Sequence, residues 1–246
     1  MSHEEVATVK IERLLVFGDI HGKWEKFLSA YEKVNFNPEK DMLIFLGDYL
    51  DRGENTVSVM DWVLEHRGRE NMLFLKGNHE AMFYEALKPY REGLRDWDEV
   101  ELTYELMLWL PNGGKATLKQ VMASGRGEKL VPAWLQCIEK MPLYAEIKTQ
   151  GKTYWFMHAD CKPELPLEEQ PEETLLWSRK LALSPAGQVS EKTIVLGHTP
   201  VQSMGYEPVP QILQDGRLVL MDTGSFMPEG RVSCLDLLSG AVYQSD

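Results

Sequence analysis

Residues 13–22 read Arg13-Leu14-Leu15-Val16-Phe17-Gly18-Asp19-Ile20-His21-Gly22: four apolar side chains in a row, then an acid and an imidazole between glycines. An unbroken apolar run this short suits a strand buried on both faces. The pattern returns twice. Residues 42–46 (MLIFL) lead into Gly47-Asp48-Tyr49-Leu50-Asp51-Arg52-Gly53, and residues 72–75 lead into Gly77-Asn78-His79-Glu80. Between these runs, residues 23–34 and 56–65 carry apolar side chains at helical spacing, and a further helix is expected from Glu80. Strand–loop–helix alternation predicts βαβ units with largely parallel pairing. Each polar loop then falls at the C-terminal end of its strand, where open α/β sheets hold ligands.

Residues 84–140 are helical in pattern, with one strong break at Pro111-Asn112-Gly113-Gly114. From residue 142 the character changes. Residues 143–148, 153–157, 193–196, 217–221, 231–235 and 241–244 read as strands, interrupted by one short helix near 172–181. A βαβ half followed by a strand-rich half predicts an α/β fold: two mixed β-sheets packed face to face, with helices on the outer faces. No repeat, low-complexity tract or Pro/Gly-rich linker divides the chain, so residues 1–246 read as a single domain.

Composition narrows the function classes. With 38 acidic and 26 basic side chains the formal charge is −12, which repels polyanions over most of the surface. Nucleic acid and anionic membrane are therefore not expected partners, although two bound cations would offset several carboxylates locally. The three cysteines, Cys137, Cys161 and Cys234, are an odd number, widely spaced without a CxxC, so neither a disulfide framework nor a thiolate zinc site is supported. The polar N-terminus lacks the apolar stretch of a signal peptide, and no apolar run approaches membrane-spanning length. A soluble protein of the reducing cytoplasm is expected. Oligomeric state is not legible.

The chemistry resides in the loops. Asp19 and His21, one residue apart, can point to the same side, and carboxylate with imidazole suits a first-row transition metal. In the second loop one acid could bridge two metals. Asp51 and Arg52 there offer an orienting carboxylate and a fixed cation whose planar fork matches phosphate oxygens. Asn78 is a neutral oxygen ligand, and His79 can move protons near neutral pH. His158-Ala159-Asp160 follows the apolar run TYWFM, and Gly197-His198-Thr199 follows TIVL. Taken singly, each of these has a structural explanation: a surface turn, a helix cap, a core histidine. Five strand-end loops delivering oxygen or imidazole groups to one rim do not. Such a mixed O/N set suits a pair of Mn²⁺, Fe or Zn²⁺ ions rather than a closed structural zinc.

With GDIHG, GDYLDRG, GNHE, HAD and GHT in order, the chain resembles the phosphoprotein phosphatase family of metallophosphoesterases. Its short spacing is similar to the bacterial and phage serine/threonine phosphatase branch. The resemblance runs from about residue 13 to residue 199, and on to Met221-Asp222-Thr223-Gly224. It implies the calcineurin-like architecture and two divalent metals, with Mn²⁺ expected first. One metal would be held by Asp19, His21 and Asp48, the other by Asp48, Asn78, His158 and His198. It also implies that His79 is the general acid, oriented by Asp51, and that Arg52, Asn78 and Arg179 bind substrate. Asp160 stands where many relatives have Gly, and Asp222 is expected to support its loop rather than ligate. His3 and His66 match no motif. The implied mechanism is direct attack by a metal-bridging hydroxide, with Arg52 and Arg179 on the phosphoryl oxygens and His79 protonating the departing oxygen.

Two activities share these motifs. One is hydrolysis of phosphoserine and phosphothreonine in proteins, with small aryl phosphates also accepted. The other is cleavage of dinucleoside polyphosphates. Residues 202–214 and the helical middle should form the pocket walls, where Trp109, Trp134 or Tyr206 could stack on a base, although core packing is the more economical use of aromatics at helical spacing. No clear base-binding element is visible, which favours the protein phosphatase. A non-catalytic scaffold is disfavoured by the intact ligand set, and a nuclease by the DRG and GNHE loops and the acidic surface.

Overall fold

The computed structural model describes residues 11–93, 100–184 and 191–246. His3 lies outside them, as do residues 94–99 of the helical middle. Strand β1 (Arg13–Phe17) pairs in parallel with β2 (Asp41–Phe45), and β2 with β3 (Met72–Phe74), as the alternation predicts. Two late strands complete this sheet: β9 (Ser233–Asp236) runs antiparallel to β1, and β10 (Val242–Gln244) antiparallel to β9. The sheet order is β10-β9-β1-β2-β3. The second sheet, in the order β4-β5-β6-β8-β7, contains β4 (Tyr144–Thr149), β5 (Lys152–Met157), β6 (Thr193–Leu196), β7 (Gln211–Leu213) and β8 (Leu218–Leu220).

Side chains that alternate across each strand explain why the runs are apolar throughout. Leu14 and Val16 of β1, with Met42 and Ile44 of β2, face Tyr154, Phe156, Val195 and Val219 of the second sheet. Leu15, Phe17, Leu43 and Phe45 point the other way, into helices α1 (Trp24–Val34) and α2 (Thr56–His66). These positions of β1 and β2 thus face protein on both sides, and neither face can be polar there. The second sheet is likewise covered outside, where Trp155, Ile194 and Leu196 meet α7 (Glu172–Trp177) and α8 (Lys180–Leu183) through Leu175, Leu181 and Ala182. The expected sandwich with outer helices is the observed fold.

The remaining helices are α3 (Asn78–Leu87), α4 (Tyr104–Trp109), α5 (Gly114–Ala123) and α6 (Gly127–Glu139), on the β1 side of the sandwich. Helix α1 buries Phe27, Ala30 and Val34, spaced to share one face, and ends in the left-handed Asn35, whose N–H donates to Glu32 O at 3.1 Å.

Two expectations need correction. The helix expected at 172–181 is two helices, broken where Ser178 turns extended. The buried Asp160 carboxylate accepts the Ser178 hydroxyl and the Lys180 N–H, which a continuous helix would not present to it. In residues 202–214, strand β7 forms the edge of the second sheet, although QIL is too short to stand out in the sequence. No helix among the described residues is long and apolar enough to cross a membrane.

The sandwich interface should dominate stability. Phe156→Ala, which hollows out the space between the sheets, is expected to cost about 3–5 kcal/mol in denaturant unfolding. Ile212→Ala, on the edge strand with Ile212 52% exposed, should cost no more than about 0.5 kcal/mol.

Candidate active site

All the candidate loops leave their strands at one rim, and their backbones are forced into unusual shapes there. His21, Asp48, Asp51, Arg52 and His198 all have positive φ, between 50° and 75°. They make up five of the nine non-glycine residues in that region among the described residues. Such conformations cost energy and persist only where surrounding structure holds them. Here Glu80 does much of the holding. Fully buried at the start of α3, its carboxylate accepts the N–H of Asp48 (2.7 Å), Tyr49 (2.9 Å) and Gly77 (2.9 Å). Gly77 has no room for a side chain, since a Cβ would sit 2.2 Å from Asp48 Oδ1.

Asp48 lies at the centre. Its Oδ2 is 3.5 Å from His21 Nε2 and 3.9 Å from His79 Nε2, and its Oδ1 is 3.4 Å from His158 Nε2. Backbone carbonyls fix the ring tautomers. His21 Nδ1 donates to Leu50 O at 3.1 Å and His158 Nδ1 to Leu46 O at 2.9 Å, which leaves both Nε2 atoms facing Asp48. Asn78 Oδ1 lies 2.9 Å from both His158 Nε2 and His198 Nδ1. The carboxylate of Asp19 is 4.0 Å from His21 Nε2 and accepts the His198 N–H at 3.1 and 3.2 Å. The six residues expected as ligands therefore converge.

Two groups have donors close enough to share an ion: His21, Asp48 and His79, and Asp48, His158 and His198. Asp48 belongs to both. In the first group His79 Nδ1 is held by Asp51 at 2.7 Å and its Nε2 lies 3.2 Å from Arg52, so Asp19 is the better third donor.

The electrostatics of the pocket suit cations. Burial pushes the Asp19 carboxyl well above the usual range, and Asp222 adds to the push. Burial also raises Asp222 to about 6, and its Oδ2 has no hydrogen-bond partner among the described residues. Burial opposes ionisation of Asp48 too, yet His158, His79 and His21 outweigh it and hold the carboxyl well below its ordinary value. Burial works against a charged His158, but Asp48 and Asp19 raise it to about 9. Burial and His158 lower His198 to about 3. Buried carboxylates crowded against one another, ringed by imidazole nitrogens, fit divalent cations.

Beside this cluster, Asp51 is fully buried and fully engaged. Its Oδ2 accepts from His79 Nδ1 (2.7 Å) and from the Trp109 indole (2.8 Å), and its Oδ1 accepts the Thr117 hydroxyl (2.6 Å). Trp109 and Trp134 are buried in the core, so neither can stack on a base, while Tyr206 is 37% exposed. Arg52 is exposed and lies 4.1 Å from the ring centre of Phe226. The break at residues 111–114 now has a purpose: the Gly113 carbonyl accepts the Arg52 N–H, and a Cβ at Gly113 would come within 2.6 Å of Arg52 Cγ. Arg179 is exposed between α7 and α8, close enough for its charge to depress His198. Asp160, accepting from both neighbours of Arg179, fixes that turn. His66 stacks on Trp62 at 4.1 Å, and its Nδ1 lies 2.8 Å from the Trp62 carbonyl.

Sequence reading missed the work of Glu80, Thr117, Trp109 and Phe226 at this site. Glu80 could have been found, since the motif GNHE carries it. Nothing local marks the other three, which reach the site from distant segments.

Comparison with known proteins agrees with this geometry. The family model for calcineurin-like phosphoesterases matches residues 12–222. Serine/threonine-protein phosphatase 1 of Salmonella typhimurium is 26% identical over 191 residues, covering 76% of this chain and 78% of that protein. Serine/threonine-protein phosphatase 2 of the same organism is 27% identical over 218 residues, covering 86% and 87%. Among solved structures, a putative diadenosine tetraphosphatase superposes with a TM-score of 0.64 at 18% identity, covering 97% of this chain and 94% of that one. A serine/threonine phosphatase of Saccharomyces cerevisiae gives 0.58 at 17%, covering 98% and 81%. Since the family match takes in most of the chain and every motif up to Asp222, the chain belongs to the calcineurin-like phosphoesterase family and is a metal-dependent phosphatase.

Proposed function

We propose that the chain, working as a single domain, hydrolyses phosphoserine and phosphothreonine in proteins, and small aryl phosphates, by direct attack of water on phosphorus. The observation that carries this reading is His79, placed between Asp51 and Arg52 and 3.9 Å from Asp48. The Asp51 carboxylate holds the ring by Nδ1, which directs Nε2 to the place where a leaving oxygen needs a proton. Burial opposes protonation of His79, but Asp48 and Asp51 overcome it and raise its pKa, as a proton donor requires. Arg52 and Arg179 present guanidinium groups to the phosphoryl oxygens. Asp19, His21, Asp48, Asn78, His158 and His198 would hold two divalent ions, Mn²⁺ by preference. When bound, the ions supply positive charge to the phosphoryl group and acidify the attacking water. A thiol nucleophile has no place here: Cys137, Cys161 and Cys234 are buried and unpaired, and burial pushes Cys161 up to about 12. Three free thiols also accord with a cytoplasmic location.

The two Salmonella relatives, named serine/threonine-protein phosphatases, support the choice of substrate. A second reading, hydrolysis of dinucleoside polyphosphates, draws on the fold likeness to the putative diadenosine tetraphosphatase and would use the same site. Burial of Trp109 and Trp134 removes two of the three aromatics that could have stacked on a base.

Three measurements test these readings. Exhaustive chelation should abolish hydrolysis of p-nitrophenyl phosphate, and Mn²⁺ should restore it; activity that survives metal removal rejects the ion-based site. His79→Asn should lower kcat about 10²–10⁴-fold on alkyl phosphoesters and much less on aryl esters with good leaving groups. Equal losses on both would contradict proton donation by His79. On phosphopeptides and dinucleoside tetraphosphates assayed side by side, kcat/KM should favour the phosphopeptide, and the reverse order would establish the second reading.

A further inference from the structure

Arg52 reaches the site on a strained loop, with φ of 75° at Asp51 and 66° at itself, and its guanidinium is exposed. A long, solvated side chain of this kind keeps its rotamer freedom unless something fixes it. The ring of Phe226 lies against it, 4.1 Å from the guanidinium carbon. The same ring stands edge-on to His21, with centroids 5.1 Å apart and planes at 88°.

Phe226 is itself held firmly. Ser225, fully buried, donates from its hydroxyl to Ile20 O at 3.1 Å, which ties the loop to the Asp19–His21 turn. Lys26 of α1 donates to the carbonyls of Ser225 and Gly230. Gly224 N–H donates to Asp222 Oδ1 at 2.9 Å, Met227 N–H to Gly224 O at 2.8 Å, and Arg231 N–H to Thr223 O at 3.1 Å. An aromatic ring on a loop with this many internal bonds is a rigid surface.

We propose that Phe226 is a positioning residue for phosphate recognition, the platform that holds the Arg52 guanidinium for the phosphoryl oxygens. The ring face attracts the cation, and with Arg52 Nη2 3.2 Å from His79 Nε2 the remaining N–H groups of a guanidinium lying on the ring stay available to an anion. Leucine would fill much of the same space without a π face, whereas tyrosine keeps the face. The inference rests on Arg52 as a phosphate ligand.

The test uses the full chain loaded with Mn²⁺, inorganic phosphate as a competitive inhibitor and p-nitrophenyl phosphate as substrate. Phe226→Leu should raise Ki for phosphate and KM by about three- to fivefold, with metal content and Tm matched to the parent. Phe226→Tyr should restore both constants, and Phe226→Met provides a second aliphatic probe should the Leu variant lower Tm. In an Arg52→Ala background Phe226→Leu should add nothing. An unchanged Ki in Phe226→Leu, or the same loss with and without Arg52, overturns the proposal and leaves the site intact. An unchanged Ki in Arg52→Ala alone overturns the assignment of Arg52 and this inference with it.

Discussion

The Asp48 carboxylate has to be buried and ionised at the same time, and most of the surrounding structure answers that demand. Taking a carboxylate out of water costs on the order of several kcal/mol unless charge and hydrogen bonds replace the solvent. Replacement comes from three imidazoles at 3.4–3.9 Å and from the His79 N–H, which donates to Oδ1 at 3.1 Å. Those partners arrive from the loops after β1, β3 and β5, so the demand of one side chain ties strands of both sheets to one rim. Glu80 extends the logic by one layer. It accepts the N–H groups that the left-handed turn at Asp48 leaves unpaired, and so makes a strained backbone affordable.

A second cluster is built on the opposite principle. Asp51 has no route to solvent, and both its oxygens accept hydrogen bonds, from Thr117, Trp109 and His79. Such a carboxylate cannot reorient, so the imidazole it holds cannot either. The Asp48 cluster gathers donor atoms close enough to share an ion, whereas the Asp51 carboxylate is committed to fixed partners that hold the His79 ring in one orientation.

Much of this was legible in the chain. The strands before the first three loops announce themselves because they are buried on both faces, and doubly buried strands must be apolar without interruption. The six candidate ligands were legible because metal-binding chemistry restricts residue type, and a restricted type beside glycines leaves a local pattern. What stayed hidden depends on contacts between distant segments. The break at Ser178 is imposed by Asp160, 18 residues earlier, and no periodicity records it. Trp109 reads as core and is core; that its indole N–H also serves Asp51, 58 positions away, follows only from the fold. Phe226 sits in a segment without period or motif, and its importance comes from what lies above and beside it.

The order of strands in the first sheet has a consequence for how the protein is made. β1 is made well before its antiparallel neighbour β9, and Leu14 N–H pairs with Asp236 across 222 positions of chain. Until then, one flank of β1 is an open ladder of donors and acceptors, the kind of surface that recruits strands from other chains. Closure over so long a loop is slow compared with helix formation, so a nascent chain passes through a period of exposure that chaperones would have to cover. Protection of that flank therefore waits for a strand whose Asp236 lies 222 positions beyond Leu14.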